Sequence, residues 1–366
     1  MATIGMPLSV SDHVPQATPS KQHRFLVLDA VRGVAAVLVA LHHVPTSLRF
    51  LFPQSFLAVD LFFCLSGFVI AFSYENRLQT KMSIRAFTLA RLIRLYPLYF
   101  LGTVIGFLDM LFHLIYFHEA LIGAHLLLLA PALLFMPHFF SRRLGDGLFP
   151  LDGPAWSLFF EIGVNLIYAL LIRIRAAVSG LLLTISVISV GFLIAMRMPI
   201  EGGDLFGTLP SGLTRVGYSF FVGVLLFRLY RKGFRMNFRG ILAGMMPIFV
   251  ILSVIFCLAF PTSPGYAHLW GCLVTCIAFP ALIFLGSNCA LTERWKSVCT
   301  FLGDFSYPLY VLHVPIFYIL SVVEHFKLAT LSAVLAPTTV ILLIPLSWWI
   351  GKVYDAPIRK YLTSKT

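Results

Sequence analysis

The chain has 366 residues, 59% of them hydrophobic and 11% charged, with a mean hydropathy of +0.91. That balance excludes an ordinary soluble domain and points to an all-α polytopic membrane protein. The formal charge of +12 would suggest nucleic acid as a partner of a soluble protein. Here it reads as topology instead, because loops facing the cytoplasm collect Lys and Arg, and no nucleic-acid partner is expected.

Residues 1–24 are polar, contain Pro and Ser, and lack a long apolar run, which reads as a flexible cytoplasmic tail rather than a cleavable signal peptide. Eleven apolar segments follow, at 25–45, 57–74, 95–117, 121–137, 156–172, 180–196, 213–229, 241–260, 268–287, 302–322 and 332–351. If 121–137 does not span, 20 of the 27 Lys and Arg fall on one side and six on the other, with Arg32 inside the membrane. If it spans, the bias vanishes, at 12 against 14. Positive-inside asymmetry therefore predicts ten transmembrane helices with both termini cytoplasmic. Segment 121–137, short and carrying Pro131, becomes an outer-face or re-entrant element. Residues 25–351 then form a single transmembrane domain, and 352–366 form a short basic cytoplasmic tail. The outer loop 118–155 holds enough turn residues for a lid.

The six cysteines lie in apolar segments or in loops placed on the cytoplasmic side, so no disulfide framework is implied. Cys272 and Cys276 are one helical turn apart, but no His or carboxylate stands near them in sequence. They read as core packing, and no metal is expected. His113, His118, His125 and His138 crowd the outer-loop region and read as surface residues.

Charged groups inside the membrane cost about 2.5–3.5 kcal/mol each on insertion scales, so each is a functional candidate. In the first segment Arg32 and His43 are eleven residues apart. That is roughly 16 Å along a helix and nearly the same face, with His42 turned about 100° away. Either the pair points into the bundle, or Arg32 snorkels and His43 is interfacial. Asp60 opens the second segment level with His43, where it either orients the imidazole or caps the helix. Ser66 and Gly67, mid-segment, suit close helix packing. Arg91 and Arg94 are neighbours on one helix face and read either as a clamp for a phosphorylated ligand or as a positive-inside anchor. Trp156 is a natural interfacial residue. Glu161 has no cationic partner nearby in sequence and is assigned to the bundle interior. His313, beside Tyr307 and Tyr310 in the tenth span, is either a packing or a site residue.

The stretches "LDAVRGVAAVLVALHH", "VDLFFCLSGFVI", "RLIRLYPLY", "WSLFFEI" and "FSYPLYVLHVPIF", in that order over residues 28–317, resemble the acyltransferase-3 family of integral-membrane acyltransferases. The resemblance implies ten spans and transfer of an acyl group, usually acetyl from cytoplasmic acetyl-CoA, onto sugars of surface or secreted glycans. It implies that Arg32 and His43 are the family's first-span pair, with His43 the catalytic group. Arg91 and Arg94 become the Arg-x-x-Arg that meets the donor's phosphates, and Glu161 the acid after Trp156, Ser157 and Leu158. Tyr310 and His313 become the tenth-span motif. His42, which doubles the histidine, and "IGVN" after Glu161 depart from the pattern. No hydrolase-like domain follows residue 351, which reads as a stand-alone member.

Acyl transfer to a hydroxyl needs a base or a nucleophile, and a stabiliser for the oxyanion. The expected catalytic set is His43 as general base or acyl carrier, Asp60 or Glu161 steadying the imidazolium, and Arg32 stabilising negative charge. Trp156, Ser157, Tyr310 and His313 are the expected substrate-binding residues. The expected partners are a glycan or lipid-linked sugar acceptor and the bilayer of a bacterial inner membrane, with a second copy of the chain held open as a partner. A secondary transporter using Arg32, Asp60, Glu161 and His43 as an ion path is the competing class. A membrane scaffold would not need buried ionisable groups.

Overall fold

The computed structural model describes residues 24–44, 50–116, 126–138, 146–173, 178–195, 201–325 and 329–366. Within them there is no strand but there is helix, one of the two forms that satisfy backbone hydrogen bonds in lipid. The helices are α1 (Leu26–His43), α2 (Ala58–Thr80), α3 (Ile84–Tyr116), α4 (Leu129–Leu133), α5 (Ala155–Arg173), α6 (Val178–Ala195), α7 (Leu209–Arg231), α8 (Ile241–Ala259), α9 (Pro264–Ser287), α10 (Glu293–His325), α11 (Ala329–Ile350) and α12 (Ala356–Ser364).

Among the described residues seven helices are long and apolar enough to cross a membrane, namely α1, α2, α3, α5, α7, α8 and α9. The other three expected spans correspond to α6, α10 and α11. The described part of segment 121–137 forms only the five-residue α4, held against α3 by Tyr96 and Tyr99, whose hydroxyls donate to the carbonyls of Leu133 and Ala132. The basic tail is helical: the π turn Gly351–Asp355 leads into α12, which packs on α3.

The bundle wears its apolar residues outward, as at Leu108, Ile188, Ile241 and Leu342, while Asp60, Glu75, Arg215 and Arg228 are buried. In water the first group would be an aggregation liability; in lipid it is the solvated surface. Helix association in lipid depends on close packing, and small residues provide it. A Cβ on Gly67 of α2 would sit 1.9 Å from the Phe220 carbonyl oxygen of α7, and one on Gly223 of α7 would sit 2.0 Å from the Cys64 oxygen of α2. Gly33 likewise lets α1 meet α10 at Leu302. These two crossings set the frame on which the site is built.

A candidate active site of two adjoining cavities

Gly33 lets α1 and α10 approach closely, and Arg32 and His43 of α1 both face that seam. At one end Arg32 donates from Nε to Ser306 Oγ (2.8 Å) and from Nη2 to Asp29 Oδ1 and the Gly303 carbonyl (both 3.1 Å). At the other end the ring of His43 stacks edge-on to that of His313, with centroids 5.0 Å apart. His42 turns away, its Nδ1 3.2 Å from the Phe52 carbonyl.

The hydrogen bonds of the histidine pair decide its tautomers. His313 Nδ1 lies 3.1 Å from the Leu309 carbonyl and His43 Nδ1 lies 2.9 Å from that of Val39. A carbonyl only accepts, so both Nδ1 atoms carry hydrogen. His313 Nε2, 3.3 Å from His43 Nδ1, is therefore an acceptor of that same hydrogen. In the neutral ring of His43 the lone pair is then on Nε2, the form a general base needs.

Asp60 is held by a cation. Its carboxylate, 1% exposed, receives Arg215 of α7 through Nε (3.1 and 3.2 Å) and Nη2 (2.7 Å). The rest of that guanidinium donates to the carbonyls of Gly202 and Phe56. Its side chain does not cap α2, whose N-cap residue is Leu57. Arg215 is a buried residue of the first turns of α7. His313, wholly buried in α10, is a ring neighbour of the His43 imidazole.

Glu161 finds its cation 70 positions away in sequence. Its Oε1 accepts from Arg91 Nη2 and from Ser66 Oγ, each at 2.7 Å. Because α3 begins at Ile84, Arg91 and Arg94 lie within the helix rather than at its end. Arg94 stands over the Tyr307 ring at 4.6 Å and 3.8 Å from Asp355. Ser157 donates to the Pro154 carbonyl (2.9 Å), and its oxygen meets the Tyr310 hydroxyl at 2.8 Å. Tyr310 in that pair is then the donor.

These groups line two cavities. The basic cavity, about 180 Å³, holds Arg32, Arg91, Arg94, Glu161 and Ser306. The histidine cavity, about 520 Å³, holds His43, Trp156, Arg215, Glu201 and Asp204, with Phe149 and Phe317. Val59 and Tyr310 belong to the walls of both, and Ser157 backs Tyr310 from the basic side. The structure thus gathers Arg32, Arg91, Arg94, Glu161 and Ser157 on one side of Tyr310, and His43 and Trp156 on the other. Arg32 and His43 share a helix face but not a cavity.

Loop residues roof the histidine cavity. Leu148 N–H donates to the Asp204 carbonyl (2.8 Å) and Phe206 N–H to that of Asp146 (3.1 Å), so the segments before α5 and before α7 are clamped together. His138 is buried rather than on the surface, its backbone N–H donating to the Leu148 carbonyl, and His113 lies 3.6 Å from Asp109 on its own helix. His118 and His125 lie outside the described residues. Sequence reasoning missed Arg215 and Asp355. Their only signal was an ionisable residue inside or just beyond an apolar run.

A family model described as an acyltransferase domain matches residues 25–352. The chain is also 40% identical over 165 residues to a Rhizobium radiobacter protein named "Protein 2 in picA locus", an overlap of 41% of this chain and 83% of that one. No solved structure matches it. With nearly its whole length in the match, the chain belongs to the acyltransferase-3 family of membrane acyltransferases.

Proposed function

We propose that the protein moves an acetyl or other short acyl group from cytoplasmic acyl-CoA to a sugar hydroxyl of a surface or secreted glycan. The reading uses ten spans with both termini cytoplasmic in a bacterial inner membrane. The observation that carries it is the pair of cavities meeting at Tyr310, one rich in arginine and one presenting a histidine base.

In this scheme the donor's phosphates dock at Arg91 and Arg94 and its pantetheine arm passes Ser157 and Tyr310, which delivers the thioester to His43. The acceptor hydroxyl enters from the opposite side, between Trp156 and the roof loops. His43 Nε2 takes the hydroxyl proton as the oxygen attacks the thioester carbonyl. The tetrahedral intermediate collapses with cleavage of the C–S bond, and the thiolate leaves towards the basic side. His43 then returns the proton to that thiolate, which balances the reaction. His313 holds the imidazole's orientation through its contact with Nδ1, the task first assigned to Asp60 or Glu161. Arg32, fixed by Asp29 and Ser306, serves the departing thiolate's side. A variant scheme, in which His43 carries the acyl group, uses the same atoms.

Transport along Arg32, Asp60, Glu161 and His43 would need the four groups in one file. Asp60 is instead closed on Arg215 and Glu161 on Arg91. The test is to incubate purified protein with acetyl-labelled acetyl-CoA and candidate glycans. Base-labile label on the glycan is the expected result. Label crossing a vesicle membrane without transfer would replace this reading with transport.

A further inference from the structure

The family match stops at residue 352, yet the chain folds back through the π turn and lays α12 against α3. Asp355, 2% exposed, lies between two guanidiniums, 3.0 Å from Arg359 Nη2 of α12 and 3.8 Å from Arg94 Nη1 of α3. Those two arginines line the same two further cavities beside the basic one, of about 450 and 990 Å³. The larger is within the size range of pockets that hold drug-sized ligands. Arg77, Arg85, Arg91 and Lys365 also line it, and no Asp or Glu side chain does among the described residues.

One carboxylate does not satisfy this cluster. Arg94 Nη1, Arg359 Nε and Asp355 Oδ1 are buried with no hydrogen-bond partner among the described residues. Buried donors left unpaired are costly, and a guanidinium is best matched by a planar or tetrahedral oxyanion. An array of guanidiniums around a nucleotide-sized space fits several phosphates held together on one molecule.

We propose that α12 completes the donor site. Arg359 and Lys365 bind the phosphate groups at the nucleotide end of the acyl-CoA, opposite Arg91 and Arg94. The proposal rests on the acyl-CoA reading above. Anionic lipid headgroups share the phosphate chemistry, so the test separates the two sources.

The full chain in phosphatidylcholine nanodiscs is titrated with coenzyme A and with adenosine 3′,5′-bisphosphate. The expected result is that Arg359→Gln weakens both by about tenfold or more, the scale of one charge-assisted hydrogen bond. Arg359→Lys recovers part of the loss. Lys365→Gln weakens binding several-fold; that side chain is exposed beside the Tyr361 ring, so its loss leaves the fold intact. Wild-type binding left unchanged by both Gln variants would overturn the role of α12 while leaving the acyl-CoA reading in place. Absence of coenzyme A binding by the wild type would overturn both. Arg359-dependent retention of phosphatidylglycerol in native mass spectrometry, with nucleotide binding unaltered in the variants, would assign the cluster to a headgroup and overturn the proposal.

Discussion

Asp60 and Arg215 illustrate how a single residue's role depends on a partner far away in sequence. Each is 1% exposed, and together they form the most completely buried ion pair among the described residues. Removing one partner strands the other's charge, at about 3–5 kcal/mol. Asp60→Ala should therefore lower the unfolding temperature in detergent sharply, whereas Asp60→Leu combined with Arg215→Met should recover most of it. Asp152, in the connection before α5, is the reverse case. Its carboxylate oxygens are buried without a hydrogen-bond partner among the described residues, and burial pushes its pKa well above the ordinary carboxylate range. The folded state thus binds the proton more tightly than the unfolded chain, so the protonated acid stabilises at low pH. That stability is lost as pH climbs from the ordinary carboxylate value through the raised one. Asp152→Asn should flatten this decline, read as unfolding temperature against pH. At this scale the sequence was informative about single faces: helical spacing put Arg32 and His43 on one side of α1 and set His42 apart, as found. It was silent on pairs such as Arg91 with Glu161, because hydropathy does not say which helix faces meet.

Elements were the most legible level. Each apolar run except 121–137 corresponds to a long helix, the form in which a single segment satisfies its own backbone in lipid. Their ends were less so. Helix α3 starts at Ile84, eleven residues before the apolar run that marks it, because Arg85, Arg91 and Arg94 are all compatible with helix and their charges hid the extension. The tail 352–366 was read by its charge and not by its amphipathic period. Close helix contact was foreseen at Gly67, and its counterpart Gly223 is what makes the α2–α7 crossing reciprocal. Gly67→Val must push α2 off the Phe220 carbonyl, since its Cβ would begin 1.9 Å from that oxygen. The expected outcome is loss of folded protein by size-exclusion chromatography. Gly244→Val, which meets nothing within 4 Å on α8, should leave the elution profile unchanged.

For the whole molecule, the division into a basic cavity and a histidine cavity organises the proposed chemistry. Arginines collect the polyanionic donor at one end and the imidazole meets the acceptor at the other, with Tyr310 between them. Donor affinity and chemistry should then respond separately to substitution. Arg94→Ala should raise the donor KM at least several-fold with a smaller change in kcat, measured by varying acetyl-CoA at saturating acceptor. Two-cavity architecture was not readable from sequence, for it depends on the Ser157–Tyr310 contact across 153 positions.

The most direct test is the rate of label transfer from acetyl-CoA to glycan by folded His43→Ala and His42→Ala variants. A general base contributes typically 10²–10⁴-fold, so His43→Ala should lose transfer by about that factor. His42→Ala, whose native imidazole bonds the Phe52 carbonyl outside both cavities, should keep it. A His43→Ala protein that transfers label at the wild-type rate would contradict the account.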